Sequence, residues 1–457
     1  MARSLPVLNN APGSSALRPD GGRNFIIPAD VSGPKTRLRY VVFALLIVVY
    51  VVTPWIQIGG HPAVFLDLQH RAFYLFGQTF NAQDFWLVFF LLSGIGFVLI
   101  LVTALWGRIW CGYACPQTVF LEGVFRRVER LIEGPRDARR KRDQAPTSVN
   151  RVLRKTAKHL AFFALSFLVA HVFLSYFVSL PALFRMMHDK PLEHPEAFAW
   201  AAVTTLIMYG NFAWFREQLC LVICPYGRLQ SVLTDSESMV IGYDVLRGEP
   251  RGKAKDKANG DCVDCGRCVV VCPTGIDIRN GLQMECIGCA ACVDACDAVM
   301  TKLKRPTGLI RYDSQSGLAR QTKRFWRPRV YVYAAFGVLG LIVATLLTRT
   351  RVPFEANLLR LSSVPYLLED NGRRVRNALE LHVVNKHGEA RTFRIEGVRA
   401  TGIDYVVGIP SARIESLSSL RVPVFVLAPN DGKRRTVQLR VDDGDVPREL
   451  ETPFIAP

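Results

Sequence analysis

The chain has 457 residues, half of them hydrophobic, and its 57 Lys and Arg outnumber 39 Asp and Glu to give a formal charge of +18. Apolar runs separated by basic loops are typical of a membrane protein and argue against a single soluble domain. Because the positive charge lies beside the apolar runs, it favours an anionic lipid surface as the partner and argues against nucleic acid.

Residues 1–37 precede the first apolar run and are rich in Pro, Gly and Ser. The apolar run begins too late and continues too long for a cleavable signal peptide. We therefore predict that residues 1–37 form a disordered cytoplasmic tail.

Five apolar segments are long enough to cross a bilayer, which takes about 20 mainly apolar residues. The fourth segment is the weakest because Asn211 and flanking charges dilute it, and a buried interfacial helix is its alternative. We predict a four-helix transmembrane region over residues 38–239 and a separate fifth helix over residues 329–348. The five segments are Leu38–Ile58, Phe85–Trp106, Leu160–Leu180, Ala197–Phe215 and Val330–Leu347.

The loop between the second and third segments is strongly basic, whereas the loop between the first and second holds only Arg71. Basic loops stay on the cytoplasmic side of a membrane. We therefore predict that the amino terminus and the cysteine-bearing loops are cytoplasmic, and that the carboxy terminus lies outside after five spans. The basic residues of this loop are Arg126, Arg127, Arg130, Arg136, Arg139, Arg140, Lys141 and Arg142.

Residues 240–328 hold the strongest chemical signal, two consecutive Cys-x2-Cys-x2-Cys-x3-Cys runs. In bacterial ferredoxins the first three thiolates of such a run bind one [4Fe-4S] cluster, and the fourth binds the other cluster. Structural zinc is the alternative, but two four-cysteine runs at ferredoxin spacing disfavour it. The predicted ligand sets are Cys262, Cys265, Cys268 and Cys296 for one cluster, and Cys272, Cys286, Cys289 and Cys292 for the other.

Each of the first two pairs of spans ends in Cys-x3-Cys-Pro, with Cys111 and Cys115 in the first motif and Cys220 and Cys224 in the second. A four-residue spacing places both sulfurs of a pair on one helical face, and the following proline ends or kinks the helix. Because soft thiolates favour Cu(I), we predict a catalytic copper site at these four residues. The alternative is that they are buried cysteines that only pack.

His171 lies inside the third predicted span. Ionisable residues within a membrane mark functional sites, so His171 is a weaker candidate for contact with copper or quinone. A neutral histidine bonded to a neighbouring helix is the alternative. No G-x-G-x-x-G follows a predicted strand, and a bound NAD or flavin is therefore not expected.

Residues 349–457 contain short β-forming stretches separated by turn signals such as Asn430-Asp431-Gly432. They predict an all-β immunoglobulin-like sandwich that serves for docking or spacing. The fold class is therefore a multi-domain membrane protein: an α-helical transmembrane bundle of five spans, a two-cluster ferredoxin insert and a terminal β sandwich.

Over its whole length the chain resembles the cytochrome c oxidase accessory proteins of the FixG, RdxA and CcoG type. The resemblance implies a bacterial inner-membrane protein with a periplasmic immunoglobulin-like domain, which matures the cbb3-type oxidase and is associated with reduction of Cu(II) to Cu(I). The motifs that carry it, besides the ferredoxin cysteines, are Arg23-Asn24-Phe25-Ile26-Ile27-Pro28, Trp110-Cys111-Gly112-Tyr113-Ala114-Cys115-Pro116-Gln117, Cys224-Pro225-Tyr226-Gly227-Arg228, Tyr243-Asp244 and Arg247-Gly248-Glu249-Pro250-Arg251.

The leading functional hypothesis is a membrane-bound cupric reductase in which two [4Fe-4S] clusters pass electrons from an unidentified cytoplasmic donor to Cu(II). Cu(I) would then move to a copper chaperone or transporter, or to the cbb3-type cytochrome c oxidase and its assembly factors. A quinone-linked electron carrier without a metal substrate and an oxidase assembly scaffold are the alternatives, and the sequence leaves a homo-oligomer open.

Overall fold

The structure is a computed structural model that describes residues 24–68, 72–81, 85–254, 259–349, 354–361, 365–387, 389–398, 402–416 and 418–457. The chain divides into two compact units. The first unit comprises the residues up to Trp55 and Phe90–Ile342, and the second comprises Ile56–Phe89 and Val343–Pro457.

Five helices are long and apolar enough to cross a membrane, which confirms the predicted number of spans. At most 28% of the residues in the apolar part of any span are buried within the protein, so most of the apolar surface faces outward. The fourth helix has the lowest mean hydropathy, 1.2, in agreement with its weak sequence signal. The spans are Pro34–Trp55, Phe89–Trp106, Val149–Leu174, Pro195–Phe215 and Pro328–Leu346.

The third span differs from its predicted bounds, Leu160–Leu180, at both ends. It begins at Val149, where the Ser148 side chain accepts a hydrogen bond from the Arg151 N–H and caps the helix. It ends at Leu174, and Leu180 begins a separate helix, Leu180–His188. The basic residues of the extra turns keep mean hydropathy low, which is why hydropathy alone places the start too late.

Three π-helical turns lie close to the Cys-x3-Cys-Pro motifs in sequence: Leu121–Phe125, Asn211–Phe215 and Leu219–Ile223. Such turns are rare and are frequently found at functional sites. The other long helices are Pro34–Val52, which Thr53–Trp55 follows directly, Phe85–Trp106, Pro195–Gly210 and Pro328–Arg349. The shorter helices are Ile109–Tyr113, Pro116–Phe120, Arg126–Glu133, Arg136–Gln144, Pro225–Leu233, Val245–Gly248, Arg267–Val270, Ile278–Asn280, Ala291–Lys302 and Gln315–Leu318.

The structure differs from the predicted disordered tail in residues 24–37, whereas residues 1–23 lie outside the described residues. The Ala29 N–H donates to the Val270 carbonyl at 2.9 Å. The first span begins at Pro34, and the Asp294 carboxylate accepts hydrogen bonds from the Thr36 N–H and hydroxyl at 2.7 and 2.6 Å. Asp294 thereby satisfies a free N–H at the start of this helix. The contact joins residues far apart in sequence, so composition does not reveal it.

A buried ionic network connects the basic loop after the second span to the third and fourth spans. Arg216 donates two hydrogen bonds to Glu129, at 2.8 and 3.1 Å, and both side chains are almost fully buried. Arg139 and Lys158 also pair with Glu129. Paired charges of this kind are costly to break, so the network fixes these helix ends against one another.

The ferredoxin region is built on one antiparallel strand pair, Val240–Tyr243 and Ile310–Asp313. Ile241, Met300 and Leu309 form its apolar core together with several of the cysteines. The helices Arg267–Val270 and Ala291–Lys302 contact each other and carry cysteines from both runs. The core therefore holds the two cysteine runs against one another.

The carboxy-terminal domain is a sandwich of two antiparallel sheets, as predicted. In its longest strand, Arg374–Asn385, every second residue is buried, so one face packs into a core that includes Phe354, Phe393 and Val424. One sheet has the order Asp404–Val407, Ser419–Pro429, Arg374–Asn385 and Phe354–Arg360. Leu367–Glu369 also pairs with Arg374–Asn385 and is followed by the turn Asp370–Gly372. The other sheet has the order Ser411–Ile414, Arg391–Gly397, Thr436–Asp442 and Pro447–Pro453.

The connection between the first two spans also forms strands, which the sequence analysis did not predict. The Tyr74 ring stacks on His61, with 3.9 Å between ring centroids, and Phe65 stacks on the same tyrosine. These contacts give the connection a small core of its own. Its strands are Gln57–Ile58, His61–Pro62, Val64–Asp67, Ala72–Leu75 and Gln78–Asn81.

Candidate iron-sulfur and cysteine sites

Two cavities in the ferredoxin region are lined by the two predicted ligand sets. One cavity is lined by Cys262, Cys265, Cys268 and Cys296. The other is lined by Cys272, Cys286, Cys289 and Cys292, and Cys268 also reaches its wall. The structure therefore brings together the thiols that the spacing assigns to each cluster, and their ligation stays a prediction.

Local backbone conformation turns each cysteine run toward its cavity. Gly266 and Ala290 occupy equivalent positions after the second cysteine of each run, and both adopt a left-handed conformation, with φ of 63° and 59°. The helix that follows Ala290 carries Cys296 to the cavity of the opposite run. The path of this helix explains why the fourth cysteine of the second run lines the cavity of the first run.

The residues of both cavities fit [4Fe-4S] clusters. Apart from the thiols, Ile276, Ile278, Val299 and Met300 contribute apolar walls, and no carboxylate lines either cavity in the described part of the chain. Burial raises the pKa of the Cys286 thiol to about 12. The thiols are therefore protonated at neutral pH unless iron displaces the proton, and sulfur-only sites of eight thiolates suit two such clusters.

The two Cys-x3-Cys-Pro loops meet at one site, which we call the four-cysteine site and which consists of Cys111, Cys115, Cys220 and Cys224. Each of the four thiols interacts electrostatically with the other three. The structure thus joins two motifs that lie far apart in sequence.

The predicted helical geometry of the motifs is wrong. Cys111 lies in the short helix Ile109–Tyr113, but Cys115 lies beyond its end, with an extended backbone of φ −62° and ψ 126°. Cys224 is likewise extended and precedes the helix Pro225–Leu233. The residue before a proline is disfavoured in the α region, and proline suits the first turn of a helix. Each proline therefore begins the next helix.

Reciprocal hydrogen bonds hold the two loops together. Gln117, two residues after Cys115, donates to Asn211 at 3.1 Å and to the Arg216 carbonyl at 2.9 Å, at the end of the fourth span. Tyr226, two residues after Cys224, lies 2.6 Å from the Thr103 hydroxyl in the second span. The sequence analysis included these two residues in its motifs but gave them no role, although both follow the proline of a motif directly.

The four-cysteine site lies against the loop that carries Cys289. Cys111 packs against an apolar cluster that contains Ile287 and Cys289. A side chain at Gly112 would bring its Cβ to 2.8 Å from the carbonyl oxygens of Ile287 and Gly288, so only glycine permits this approach. The ferredoxin region and the four-cysteine site are thus in direct contact.

Burial governs the protonation of the four-cysteine site. It raises the pKa of the Cys111 thiol to about 11 and that of Cys220 to about 12. The amide nitrogen of Gln230, which is fully buried, lies 3.4 Å from the Cys111 sulfur. Among the residues that the structure describes, no three His, Cys, Asp or Glu side chains are close enough to hold one metal ion.

His171 contacts its own helix and the short helix that follows it. Its Nδ1 lies 2.8 Å from the Phe167 carbonyl oxygen in the preceding helical turn, and its Nε2 lies 3.5 Å from the Met187 sulfur. These contacts agree with a locally bonded histidine, and the weaker prediction of a copper or quinone contact stays untested.

Three family models match the chain and agree with this architecture. Residues 215–315 match a 4Fe-4S dicluster domain, residues 86–135 match a 4Fe-4S binding domain, and residues 343–457 match a domain described as an IG-like fold at the C-terminus of FixG. The fold and the sites thus define a membrane electron-transfer protein with a two-cluster ferredoxin module and a terminal immunoglobulin-like domain.

Relatives of known name cover almost the whole chain. Nitrogen fixation protein FixG of Rhizobium meliloti is 36% identical over 92% of this chain and 84% of its own. Protein RdxA of Cereibacter sphaeroides is 34% identical over 93% of this chain and 95% of its own. The chain belongs to the FixG/RdxA family, which confirms the resemblance predicted from its motifs. A crystal structure of a FixG-related protein from Vibrio parahaemolyticus matches 23% of this chain and 97% of that chain, at 20% identity and a TM-score of 0.21.

Proposed function

We propose that this membrane electron-transfer protein reduces Cu(II) to Cu(I) beside the four-cysteine site. The observation that carries the proposal is the packing of Cys111 against the apolar cluster that contains Cys289, which connects a partly buried thiol site to the ferredoxin module. Bound [4Fe-4S] clusters supply single electrons. Cu(II) needs one electron and no proton to become Cu(I), and a sulfur-rich surrounding favours the reduced ion.

The side chains around the ferredoxin cavities favour negative charge on the cavity next to the four-cysteine site. Arg39 and Arg108 interact electrostatically with Cys289 and Cys286, and each lowers the pKa of its cysteine against the larger effect of burial. Arg39 also donates to the Gly112 carbonyl at 2.8 Å. These arginines therefore stabilise added negative charge and fix the first cysteine loop at the same time.

The surroundings of the protein are part of the proposal. The protein crosses the inner membrane of a bacterium. The basic loop that contains Arg126–Glu133 favours the cytoplasmic side for the ferredoxin region, and the β sandwich then lies in the periplasm. An unidentified cytoplasmic donor supplies the electrons. Cu(I) passes to a copper chaperone or transporter, and the β sandwich docks on cbb3-type cytochrome c oxidase or its assembly factors.

Paired cysteine substitutions test the proposal. We expect Cys111→Ala with Cys115→Ala, and Cys220→Ala with Cys224→Ala, to lower the rate of Cu(I) formation at least about tenfold, as loss of groups at a metal site does. The measurement is anaerobic Cu(I) trapping by a chromogenic chelator, with the absorbance of the ferredoxin clusters recorded on the same samples.

The matched control is Val119→Ala, which shortens a buried side chain of the same loop and leaves all thiols in place. Copper reduction should stay within twofold of wild type in this control. Unchanged copper reduction in both double variants, with intact ferredoxin absorbance, would reject the assignment of the reduction site.

A quinone-linked carrier is the second candidate because of one cavity. This cavity, of about 270 Å³, lies at the end of the second span beside Cys286 and is lined by Trp106, Met239 and Met284 among others. Mostly apolar cavities of roughly 300 Å³ upward accept small ligands and cofactors. The candidate predicts that a quinone analogue reoxidises the reduced protein at a rate that Met239→Trp, which fills the cavity, lowers and that copper ions do not change.

A further inference from the structure

The four-cysteine site has the composition and spacing of a cluster site. We infer that Cys111, Cys115, Cys220 and Cys224 together hold a third iron-sulfur cluster, of the [4Fe-4S] type. The inference deepens the proposed function, on which it rests for the direction of electron flow, and it assigns a resident group to the place where copper is reduced.

The spacing of the thiols carries the first step. Four sulfurs around one ion lie within about 4 Å of one another, because each is about 2.3 Å from the metal. In a [4Fe-4S] cluster each thiolate binds a different iron, so the four sulfurs lie farther apart. The four thiols interact pairwise, yet no three of them, and no three of the eight described ferredoxin cysteines, have single-ion spacing. The four-cysteine site and the two ferredoxin sites thus have in common that their thiols lack single-ion spacing.

The family models carry the second step. The model described as a 4Fe-4S binding domain matches residues 86–135, and Cys111 and Cys115 are the only cysteines in that stretch of the sequence. A [4Fe-4S] cluster takes four thiolates, so this segment supplies half of a ligand set. Cys220 and Cys224 are the thiols that interact with both of its cysteines.

Hydrogen-bond donors around the thiols suit the negative charge of a thiolate-ligated cluster. The backbone N–H groups of Gln117 and Thr118 donate to the Cys115 thiol. The Gln230 amide lies against Cys111, and the Arg108 side chain interacts with the same thiol electrostatically. Donors to cluster sulfur raise the affinity for electrons. The fully buried Gln230 thus has a role as a hydrogen-bond donor to the cluster site.

The position of the third site extends the path for electrons toward the membrane. With clusters bound at both places, one electron would pass from the cavity of Cys289 to the four-cysteine site, with no bond made or broken and no proton moved. The reductant is the unidentified cytoplasmic donor of the proposed function, and the final oxidant is Cu(II). Copper is then reduced at the edge of this site, and its four thiols stay bound to iron.

Iron content tests the inference without reference to activity. The full chain is purified without oxygen in detergent, and iron, acid-labile sulfide, zinc and copper are measured per chain, with Mössbauer spectra of the iron. Three clusters give about twelve iron and twelve sulfide per chain, whereas the ferredoxin module alone gives about eight of each. We expect the higher value.

Variants locate the additional iron. Cys111→Ala with Cys115→Ala should lose about one third of the iron, Cys220→Ala with Cys224→Ala should lose the same third, and all four changes together should lose no more. Cys262→Ala with Cys265→Ala should lose a different third, and Val119→Ala should lose none. If a variant fails to fold, the iron and sulfide content of the wild type still decides the question.

Two results would overturn the inference: about eight iron per wild-type chain with no change in the paired variants, or zinc or copper at the four-cysteine site with about eight iron. Copper reduction measured on the same samples separates the two proposals. Twelve iron without copper reduction rejects the proposed function and keeps the third cluster, whereas copper reduction with eight iron does the reverse.

Discussion

Arg216 is the largest fully buried side chain among the described residues, with 1% exposure. It pairs with Glu129 and lies over the Phe25 ring at 4.4 Å, so it connects the end of the fourth span to the basic loop and to the segment before the first span. Burial raises the pKa of Glu129, but Arg216, Arg139 and Lys158 outweigh it and hold the value at about 2. The carboxylate therefore stays charged at neutral pH.

Loss of Arg216 should destabilise the protein strongly. Arg216→Gln leaves Glu129 buried with fewer partners, and we expect a loss of about 3 kcal/mol in the free energy of unfolding. Arg130→Gln is the control, because the Arg130 pair with Asp30 is half exposed and contributes less than about 1 kcal/mol. Chemical denaturation in detergent, followed by helical circular dichroism, measures both. Equal losses in the two variants would contradict the role of the buried network.

Asp443 should make the β sandwich sensitive to acid. Burial raises the pKa of this carboxyl, but the N–H groups of Val446 and Asp445 and the His387 ring, 2.9 Å away, outweigh it and lower the pKa below its usual value. A depressed folded pKa stabilises the domain above the unfolded value, about pH 4, and this stabilisation is lost as pH falls through the folded value. The stability of residues 343–457 against urea should therefore decrease as the pH falls below about 4.

The same titration with Asp443→Asn provides the check. The variant should be less stable than wild type at pH 7 and should lose less stability between pH 5 and pH 2.5. Parallel curves for the two proteins would show that Asp443 does not contribute to the acid sensitivity.

At the scale of elements, features that depend on local sequence were predicted, whereas features that depend on long-range contacts were not. Hydropathy gave the five spans, and cysteine spacing gave sets of thiols that the structure collects around two cavities. The extended conformation of Cys115 was also accessible, because it precedes a proline, but the helical interpretation of the motif overlooked that rule. The Thr36 contact with Asp294 and the meeting of the two cysteine loops depend on residues far apart in sequence, which no local pattern encodes.

The crossed arrangement of the ferredoxin cysteines predicts paired effects. Cys296→Ala should remove the same cluster as Cys265→Ala, because both thiols line one cavity, and Cys272→Ala should match Cys289→Ala. Electron paramagnetic resonance of the reduced protein distinguishes the two clusters once their spin coupling is removed. If Cys296→Ala gave the spectrum of Cys289→Ala, each run would ligate its own cluster and the crossing would be wrong.

At the scale of the molecule, the distribution of charge predicts the orientation in the membrane. The loop with helices Arg126–Glu133 and Arg136–Gln144 is rich in arginine, which favours the cytoplasmic side. We expect a fluorescent-protein fusion after Gln144 to be bright and an alkaline phosphatase fusion after Pro457 to be active, since the first folds in the cytoplasm and the second outside it. The reversed pattern would place the clusters outside and would remove the proposed cytoplasmic donor.

Stopped-flow absorbance tests the central claim most directly. The anaerobic, dithionite-reduced protein, freed of excess reductant, is mixed with Cu(II) in the presence of a chromogenic Cu(I) chelator. We predict that cluster absorbance recovers at the same rate as Cu(I) forms, with one Cu(I) per electron released, and that both rates fall in the Cys111→Ala, Cys115→Ala variant. Clusters that stay reduced in excess Cu(II) would contradict copper reduction and would favour the quinone-linked carrier.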